Sequence, residues 1–205
     1  MDIKIVVTQE EHYQYAETIC NTIEISAKLR GTGIAKRTPE YILQKMQSKD
    51  AIIALVNNEF AGFCYIESWE HAKFVAHSGL IVHPKYRNLG LAKKIKSKVF
   101  DYSLRKYPNA KVFGITTGLP VMKINSDLGY KPVPFSELTT DPSFWKGCKT
   151  CTNYEILKSK DNKMCLCTGM LYDPKEKQKI PPKHPFNLKV LNRLKKIKEA
   201  LFLKK

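Results

Sequence analysis

Short apolar stretches rich in Val, Ile and Phe alternate along the chain with stretches whose apolar residues recur every three or four positions. The first kind is typical of buried strands and the second of amphipathic helices. The predicted strands are 3–7, 51–56, 60–66, 74–82, 112–116 and one starting near 130. The predicted helices are one that starts with a capping box of Thr8 and Glu11 and runs to about Ser26, one from Pro39 with Thr38 as its N-cap, one from 90 and 121–128. The order β-α-α-β-β-β-α-β-α-β predicts a mixed α/β fold built on one sheet.

The C-terminal quarter has a different pattern. Residues 145–172 predict a hairpin with strands at 153–157 and 164–171, and a Pro- and Lys-rich stretch follows from Pro174. Apolar residues from Leu188 to Phe202 then recur at helical spacing with lysines between them, which predicts a basic amphipathic helix. We therefore expect a domain over 1–173 and a tail over 174–205.

Composition and charge narrow the class of protein. With 43% hydrophobic residues the chain can bury a core, which excludes a disordered tail protein. It has no run of 18 apolar residues, and its N-terminus lacks the order of a signal peptide, so we expect a cytoplasmic protein without a membrane partner. The net charge is +16, of which residues 174–205 carry +9, and this excess raises nucleic-acid binding as one function class.

The junction between the strand at 74–82 and the next helix contains a glycine turn. A helix N-terminus offers unpaired N–H groups and a positive dipole end, so a turn that approaches closely can bind a pyrophosphate. Gly90 permits that approach, Ala92 keeps the first helical turn small, and Arg87 adds a positive charge. The sequence therefore predicts a phosphate-binding turn, with a tight connection of no function as the alternative.

The string His83-Pro84-Lys85-Tyr86-Arg87-Asn88-Leu89-Gly90-Leu91-Ala92 resembles the R-x-x-G-x-G/A signature of the GNAT N-acetyltransferase superfamily, and Leu128-Gly129-Tyr130 resembles its L-G-F/Y strand entry. The resemblance implies a GNAT-like fold and acetyl-CoA, or another acyl-CoA, as co-substrate. It also implies that the turn binds the pyrophosphate and that the strand before it pairs with the pantetheine arm. The implied cofactor-binding residues are Leu80, Ile81, Val82, Arg87, Asn88, Leu89, Gly90, Leu91 and Ala92.

Two proton transfers are needed for acetyl transfer to an amine. In many members of the family a Tyr protonates the departing thiolate of coenzyme A, and this chain has Asn125 at that position. Because a thiolate leaves readily near neutral pH, a hydrogen bond from Asn125 or from water can assist its departure. Removing the proton from the amine requires a base. His77, on the strand before the turn, is our first candidate, with Glu67 and His71 as alternatives; the competing interpretation of His77 is a histidine hydrogen-bonded within the sheet.

The loop between the first two helices contains Arg30, Lys36, Arg37 and two glycines. Such a cationic rim suits a carboxylate-bearing acceptor, although an ordinary solvated loop explains it equally well. This loop and the C-terminal cysteines are also similar to a bacterial GNAT subgroup associated with arginine biosynthesis. That second resemblance implies an amino acid acceptor such as glutamate, acylated on its α-amine.

Four of the six cysteines are clustered in the spacing C-x2-C-x13-C-x-C, formed by Cys148, Cys151, Cys165 and Cys167. Two cysteine pairs at one end of a hairpin can supply four thiolates to zinc or to an iron–sulfur centre. The second pair is C-x-C instead of C-x2-C, which departs from the usual metal spacing. A structural metal site and four reduced thiols both remain open.

Three functions are compatible with the sequence. The leading one is a GNAT-type acyl-CoA-dependent N-acyltransferase that acts on a small, acidic amino acid, without nucleic acid as a partner; a homodimer is compatible with it. The alternatives are a basic nucleic-acid-binding module with a zinc-ribbon-like hairpin, and a non-catalytic acetyl-CoA-binding protein. The tail has only two aromatic residues, Phe186 and Phe202, which disfavours a nucleic-acid surface with interleaved aromatics.

Overall fold

The computed structural model describes residues 1–30 and 35–177. Its strands are β1 Ile3–Val7, β2 Ala51–Val56, β3 Glu59–Trp69, β4 Phe74–Val82, β5 Lys111–Thr116, β6 Lys131–Val133 and β7 Thr168–Tyr172. Its helices are α1 Ala16–Arg30, α2 Pro39–Gln47, α3 Leu91–Lys106, α4 Leu119–Asp127, α5 Pro142–Lys146, α6 Tyr154–Ser159 and α7 Pro174–Lys177. Through β6, this order confirms the predicted mixed α/β fold.

One seven-stranded sheet organises the described residues, with strand order β1-β2-β3-β4-β5-β7-β6. Its neighbouring strands are antiparallel except for β4 and β5, which run parallel. The β4–β5 register covers only Phe74↔Lys111, Val75↔Val112 and Ala76↔Phe113. Beyond Ala76 the two strands diverge, and the backbone groups that face this gap have no strand partner there.

The two faces of the sheet bury different helices. On one face, Ile19 and Ile23 of α1 and Ile42 of α2 pack with Phe63 and Tyr65 of β3. On the other face, α3 packs its apolar stripe against the central strands through Leu91, Ile95 and Val99. This burial explains why the helical period begins directly after Gly90 in the sequence.

The two predicted helix starts have different outcomes. Thr38 caps α2 as expected, because its hydroxyl accepts a hydrogen bond from the Tyr41 backbone N–H at 3.3 Å. The predicted cap at Thr8 is wrong, since its hydroxyl donates to the Met46 carbonyl at 3.1 Å. A 3-10 helix at Glu10–Tyr15 occupies the predicted first turns, and the α-helix begins at Ala16.

The predicted C-terminal hairpin is also wrong. Residues assigned to its first strand belong to α6, because Tyr154 and Leu157 are spaced for a helical face and Leu157 is buried beside Trp145 and Phe113. The predicted second strand begins only at Thr168, as β7. This strand pairs with β5 on one side and with β6 on the other, so it completes the main sheet instead of a separate hairpin.

The chain divides into two compact units, Met1–Pro174 and Lys175–Lys205. The predicted amphipathic helix at 188–202 lies outside the described residues. Among the residues that the structure describes, no helix is long and apolar enough to cross a membrane.

Candidate active site

A cavity of about 650 Å³ lies where β4 and β5 diverge. On one face of the sheet it is bounded by β3, α2 and the segment from Ser143 to Cys167. Lys96 of α3 and Asn125 of α4 also line it, although α3 packs on the opposite face. The cavity therefore extends into the gap in the sheet and is lined by residues from both faces.

A bulge in β4 shapes the floor of this cavity. Tyr65 pairs with Ser78 while Phe63 pairs with Ile81, so β4 carries one extra residue against β3. Gly79 has φ +65°, and a Cβ built on it would lie 2.5 Å from Cε1 of the Tyr65 ring. Only glycine satisfies both the backbone conformation and the contact with Tyr65.

Glu67 reaches the cavity from β3, on the face covered by α2. Its Oε1 accepts a short hydrogen bond from the Tyr41 hydroxyl and lies 3.4 Å from Lys45 Nζ. Burial, together with Tyr65 and Glu67, raises the pKa of Tyr41, so this hydroxyl stays protonated as a donor. The two contacts hold the Glu67 carboxylate in one orientation at the cavity wall.

Arg37 lies beside Glu67 in the same wall. Its Nε donates to the Tyr65 hydroxyl at 2.6 Å, and its guanidinium carbon lies 5.6 Å from the centre of the Tyr41 ring. Burial opposes the charge most strongly, but Tyr65, Tyr41 and Glu67 together outweigh it and raise the pKa of Arg37. A cation is thus fixed in the cavity.

Lys36 contributes to the rim next to Arg37. Its side chain is exposed and lines the cavity, and its backbone N–H donates to Thr150 Oγ1 at 2.9 Å. This bond links the loop before α2 to the cysteine-containing segment. Of the third predicted acceptor residue, Arg30, only the backbone at the end of α1 is described.

His77 is 8% exposed, and both of its ring nitrogens have partners. Nε2 lies 2.8 Å from Ser103 Oγ, and Nδ1 lies 3.0 Å from the Tyr130 hydroxyl. Burial, with a further contribution from the Lys96 charge, lowers the pKa of His77 well below its usual range. His77 lines the cavity as a neutral, hydrogen-bonded ring, whereas His71 is exposed at the β3–β4 turn and does not line it.

The predicted phosphate turn lies at the N-terminus of α3. Asn88 and Gly90 have φ of 65° and 70°, and no side chain caps the first turn of α3. Arg87 is anchored, since its Nη2 donates to Ser26 Oγ at 3.1 Å. Leu80 lines the cavity, but Ile81, Val82 and the turn from Arg87 to Ala92 do not.

The four clustered cysteines line one wall of the cavity. The Asn153 backbone N–H donates to Cys151 Sγ at 3.4 Å, and Cys165 Sγ donates to the Asn153 carbonyl at 3.8 Å. Burial and the neighbouring thiols raise the pKa of Cys148 to about 11 and of Cys167 to about 12. All four are free thiols.

No group of three or more His, Cys, Asp or Glu side chains within residues 1–30 and 35–177 is arranged to hold a metal ion. The predicted zinc or iron–sulfur site therefore rests on the cysteine spacing alone. It stays a prediction, and elemental analysis of protein purified without a chelator tests it.

Sequence reasoning missed Tyr41 and Lys96, which line the cavity, and Tyr65, which holds Arg37. The tyrosines resemble ordinary core aromatics in the sequence, and nothing there distinguishes them. The burial of Lys96 was detectable in the sequence, because Lys96 precedes Phe100 by four and Ser103 by seven positions on the buried stripe of α3. A lysine on the buried apolar stripe of a helix is expected either to pair with an anion or to serve the site that it faces.

The fold combines a divergent strand pair with a glycine turn before the uncapped N-terminus of α3. Residues 35–118 match the model of the acetyltransferase (GNAT) family. The match holds α2, β2 to β5 and α3, which supply most of the cavity floor. The match covers this segment only, and within it the chain is similar to GNAT acetyltransferases.

Solved acetyltransferase-type structures share this fold. N-acetylglutamate synthase from Neisseria gonorrhoeae, complexed with coenzyme A and N-acetyl-glutamate, is similar with 12% identity and a TM-score of 0.60; the match covers 84% of this chain and 35% of the synthase. This chain therefore spans about a third of the synthase's length.

A protein from Mycobacterium tuberculosis in complex with coenzyme A matches with 12% identity and a TM-score of 0.60, over 83% of this chain and 98% of its own. A GNAT-family acetyltransferase from Staphylococcus aureus matches with 17% identity and a TM-score of 0.55, over 68% and 90%. No curated protein matches significantly. Neither a nucleic-acid-binding module nor a non-catalytic acetyl-CoA-binding protein gains support from these matches.

Proposed function

We propose that the protein transfers the acyl group of acetyl-CoA directly to the amine of a small, acidic amino acid such as glutamate. The observation that carries this proposal is the cavity through the β4–β5 gap. It allows an acyl-CoA and an amine to meet at one point from different sides of the sheet. Direct attack then requires no covalent enzyme intermediate.

In this proposal, backbone groups of α3 and β4 bind the acyl donor, acetyl-CoA. The uncapped first turn of α3, after left-handed Gly90, supplies N–H groups and a positive dipole end for the pyrophosphate. The unpaired backbone of β4 near Gly79 and Leu80 can bind the pantetheine amides and the thioester carbonyl. Donors fixed in a buried gap stabilise the oxyanion that forms during attack.

In this proposal, Arg37 and Lys36 bind the acceptor amino acid. A guanidinium held by Tyr65 in a cavity can bind a carboxylate through two parallel hydrogen bonds. Support for an acidic amino acid also comes from the gonococcal synthase, which was solved with N-acetyl-glutamate. The acceptor lies in our proposal between Arg37 and the segment around Cys148.

Glu67 is the base in this proposal. Its carboxylate lines the cavity on the acceptor side, and both of its described contacts are made to Oε1. His77 fits this role less well, because both ring nitrogens are engaged and its pKa is lowered. We assign His77 to holding Tyr130 and Ser103 in place.

Thiol release from acetyl-CoA with a panel of amino acids tests the proposed function. Glutamate and glutamine form a matched pair of nearly equal size that differ in charge. We expect kcat/KM for glutamate to exceed that for glutamine by about tenfold or more, since only glutamate has a side-chain carboxylate for Arg37. Absence of thiol release with every amine would refute acyl transfer, and equal rates for the pair would refute an acidic acceptor.

Replacing Arg37 should weaken binding of the acceptor and leave binding of acetyl-CoA largely unchanged. We expect Arg37→Met to raise KM for glutamate about tenfold, with kcat and acetyl-CoA affinity changed only a few-fold, because a ground-state contact is lost. Steady-state kinetics with each substrate varied checks this. Lys28→Met is the matched control, since Lys28 is an exposed cation on α1 paired with Glu24 at 2.9 Å. Equal increases of KM for glutamate and glutamine would contradict the role of Arg37.

A further inference from the structure

Lys96 is a buried cation in the wall of the cavity. It is 2% exposed and lines the cavity from α3. Within the described part of the chain its Nζ has no carboxylate partner, and it lies 5.2 Å from the centre of the Tyr130 ring. Lys93, one turn earlier on the same helix, instead pairs with Asp127 at 3.1 Å. A buried ammonium without an anion is costly, so its position points to a ligand that carries or develops negative charge.

The groups that face Lys96 come from three other parts of the fold. They are Cys64 of β3, His77 of β4 and Tyr130, the residue before β6. Burial raises the pKa of Cys64 to about 11 and raises that of Tyr130 well above its usual value, while His77 stays neutral. None of the three supplies an anion at neutral pH. Burial lowers the pKa of Lys96 to about 8, so among these four groups it releases a proton most readily near neutral pH.

The positions of Lys96 and Glu67 relative to the sheet matter for acyl transfer. Glu67 lies on the α2 face, and Lys96 reaches the gap from the α3 face. In the tetrahedral intermediate the amine nitrogen and the sulfur occupy different corners, so an amine held beside Glu67 leaves the sulfur free to point toward Lys96. Asn125, which also lines the cavity, has an amide without an ionisable proton and cannot return one to sulfur.

We propose that Lys96 is a catalytic residue that protonates the thiolate of coenzyme A as it leaves. This inference rests on the proposed acyl transfer and adds the second proton transfer to it. The amine nitrogen forms a bond to the acyl carbon, the carbon–sulfur bond breaks, and its electron pair stays on sulfur. Lys96 Nζ then donates a proton to give the free thiol, while Glu67 takes the proton of the amine. Exchange with water afterwards restores the charge of both residues.

The pH profile of kcat with saturating acetyl-CoA and acceptor tests this role. Lys96 acts in its protonated form, which is complete below its pKa and is lost as the pH rises through about 8. We expect the wild-type rate to fall above that pH. Lys96→Met should lower kcat roughly 10- to 100-fold and abolish the alkaline fall, because a thiolate still leaves slowly without an acid. Lys96→Arg keeps the cation charged, so its alkaline fall should also disappear.

The controls separate this inference from the proposed function and from a structural role. Lys98→Met removes an exposed cation from the same helix and should keep the wild-type pH profile. Thermal unfolding and acetyl-CoA affinity of both Lys96 variants verify folding and cofactor binding. An active wild-type enzyme whose alkaline fall persists in Lys96→Met overturns the role of Lys96 alone. A wild-type enzyme that transfers to no amine overturns this inference together with the proposed function.

Discussion

Glu67→Gln should lower kcat by about a thousandfold while acetyl-CoA binds with unchanged affinity. The amide keeps the size of the side chain but cannot take a proton from the attacking amine. The residual rate should rise with pH, since the acceptor must then lose its proton to solvent before attack. Steady-state kinetics across pH, together with calorimetric titration of acetyl-CoA, measures both effects.

His77→Asn is the informative comparison for Glu67→Gln. It removes the ring between Ser103 and Tyr130, so we expect a loss of about 1 to 3 kcal/mol in the free energy of unfolding. Its kcat should fall much less than that of Glu67→Gln. A larger loss of kcat in His77→Asn, with Glu67→Gln close to wild type, would move the base to His77.

Gly79→Ala should damage both stability and turnover. The added Cβ would meet the Tyr65 ring at 2.5 Å, and φ +65° is unfavourable for alanine. We expect the free energy of unfolding to fall by about 2 to 4 kcal/mol, as strain and overpacking add. Displacing Tyr65 also releases Arg37, so kcat/KM should fall about a hundredfold. Denaturant unfolding and steady-state kinetics measure these losses.

Gly90→Ala is the matched stability control for Gly79→Ala. Gly90 has φ +70°, but a Cβ there would meet nothing within 4 Å. Its cost should therefore be the backbone strain alone, about 1 kcal/mol. Equal losses of unfolding free energy in the two variants would show that the contact with Tyr65 contributes nothing.

Local patterns in the sequence sufficed for most of the sheet and for the turn before α3. Strands such as β2 are recognisable as apolar runs, and helices such as α3 by apolar residues at every third or fourth position. Gly90 marks the junction between β4 and α3. The place of β7 was not predictable, because its pairing with β5 joins residues about sixty positions apart. Residues 153–157 were predicted as a strand, but Tyr154 and Leu157 have a helical spacing.

The candidate site was predictable only in part. Glu67, His77, Asn125, Lys36, Arg37 and the four cysteines all line the cavity, although their roles come from its geometry. The choice between Glu67 and His77 depends on which hydrogen bonds each side chain has already made, and no sequence pattern records that. The importance of Lys96 could be seen only in the fold, because it is buried and has no carboxylate partner among residues 1–30 and 35–177.

The insertion of β7 between β5 and β6 affects how the protein can be produced. The segment that matches the family model, 35–118, would leave β5 with an open edge and would also lack β1 at the other end of the sheet. An exposed strand edge invites pairing with other chains. During synthesis the sheet can close only after Tyr172 has left the ribosome, so a shortened expression fragment that ends before β7 should aggregate.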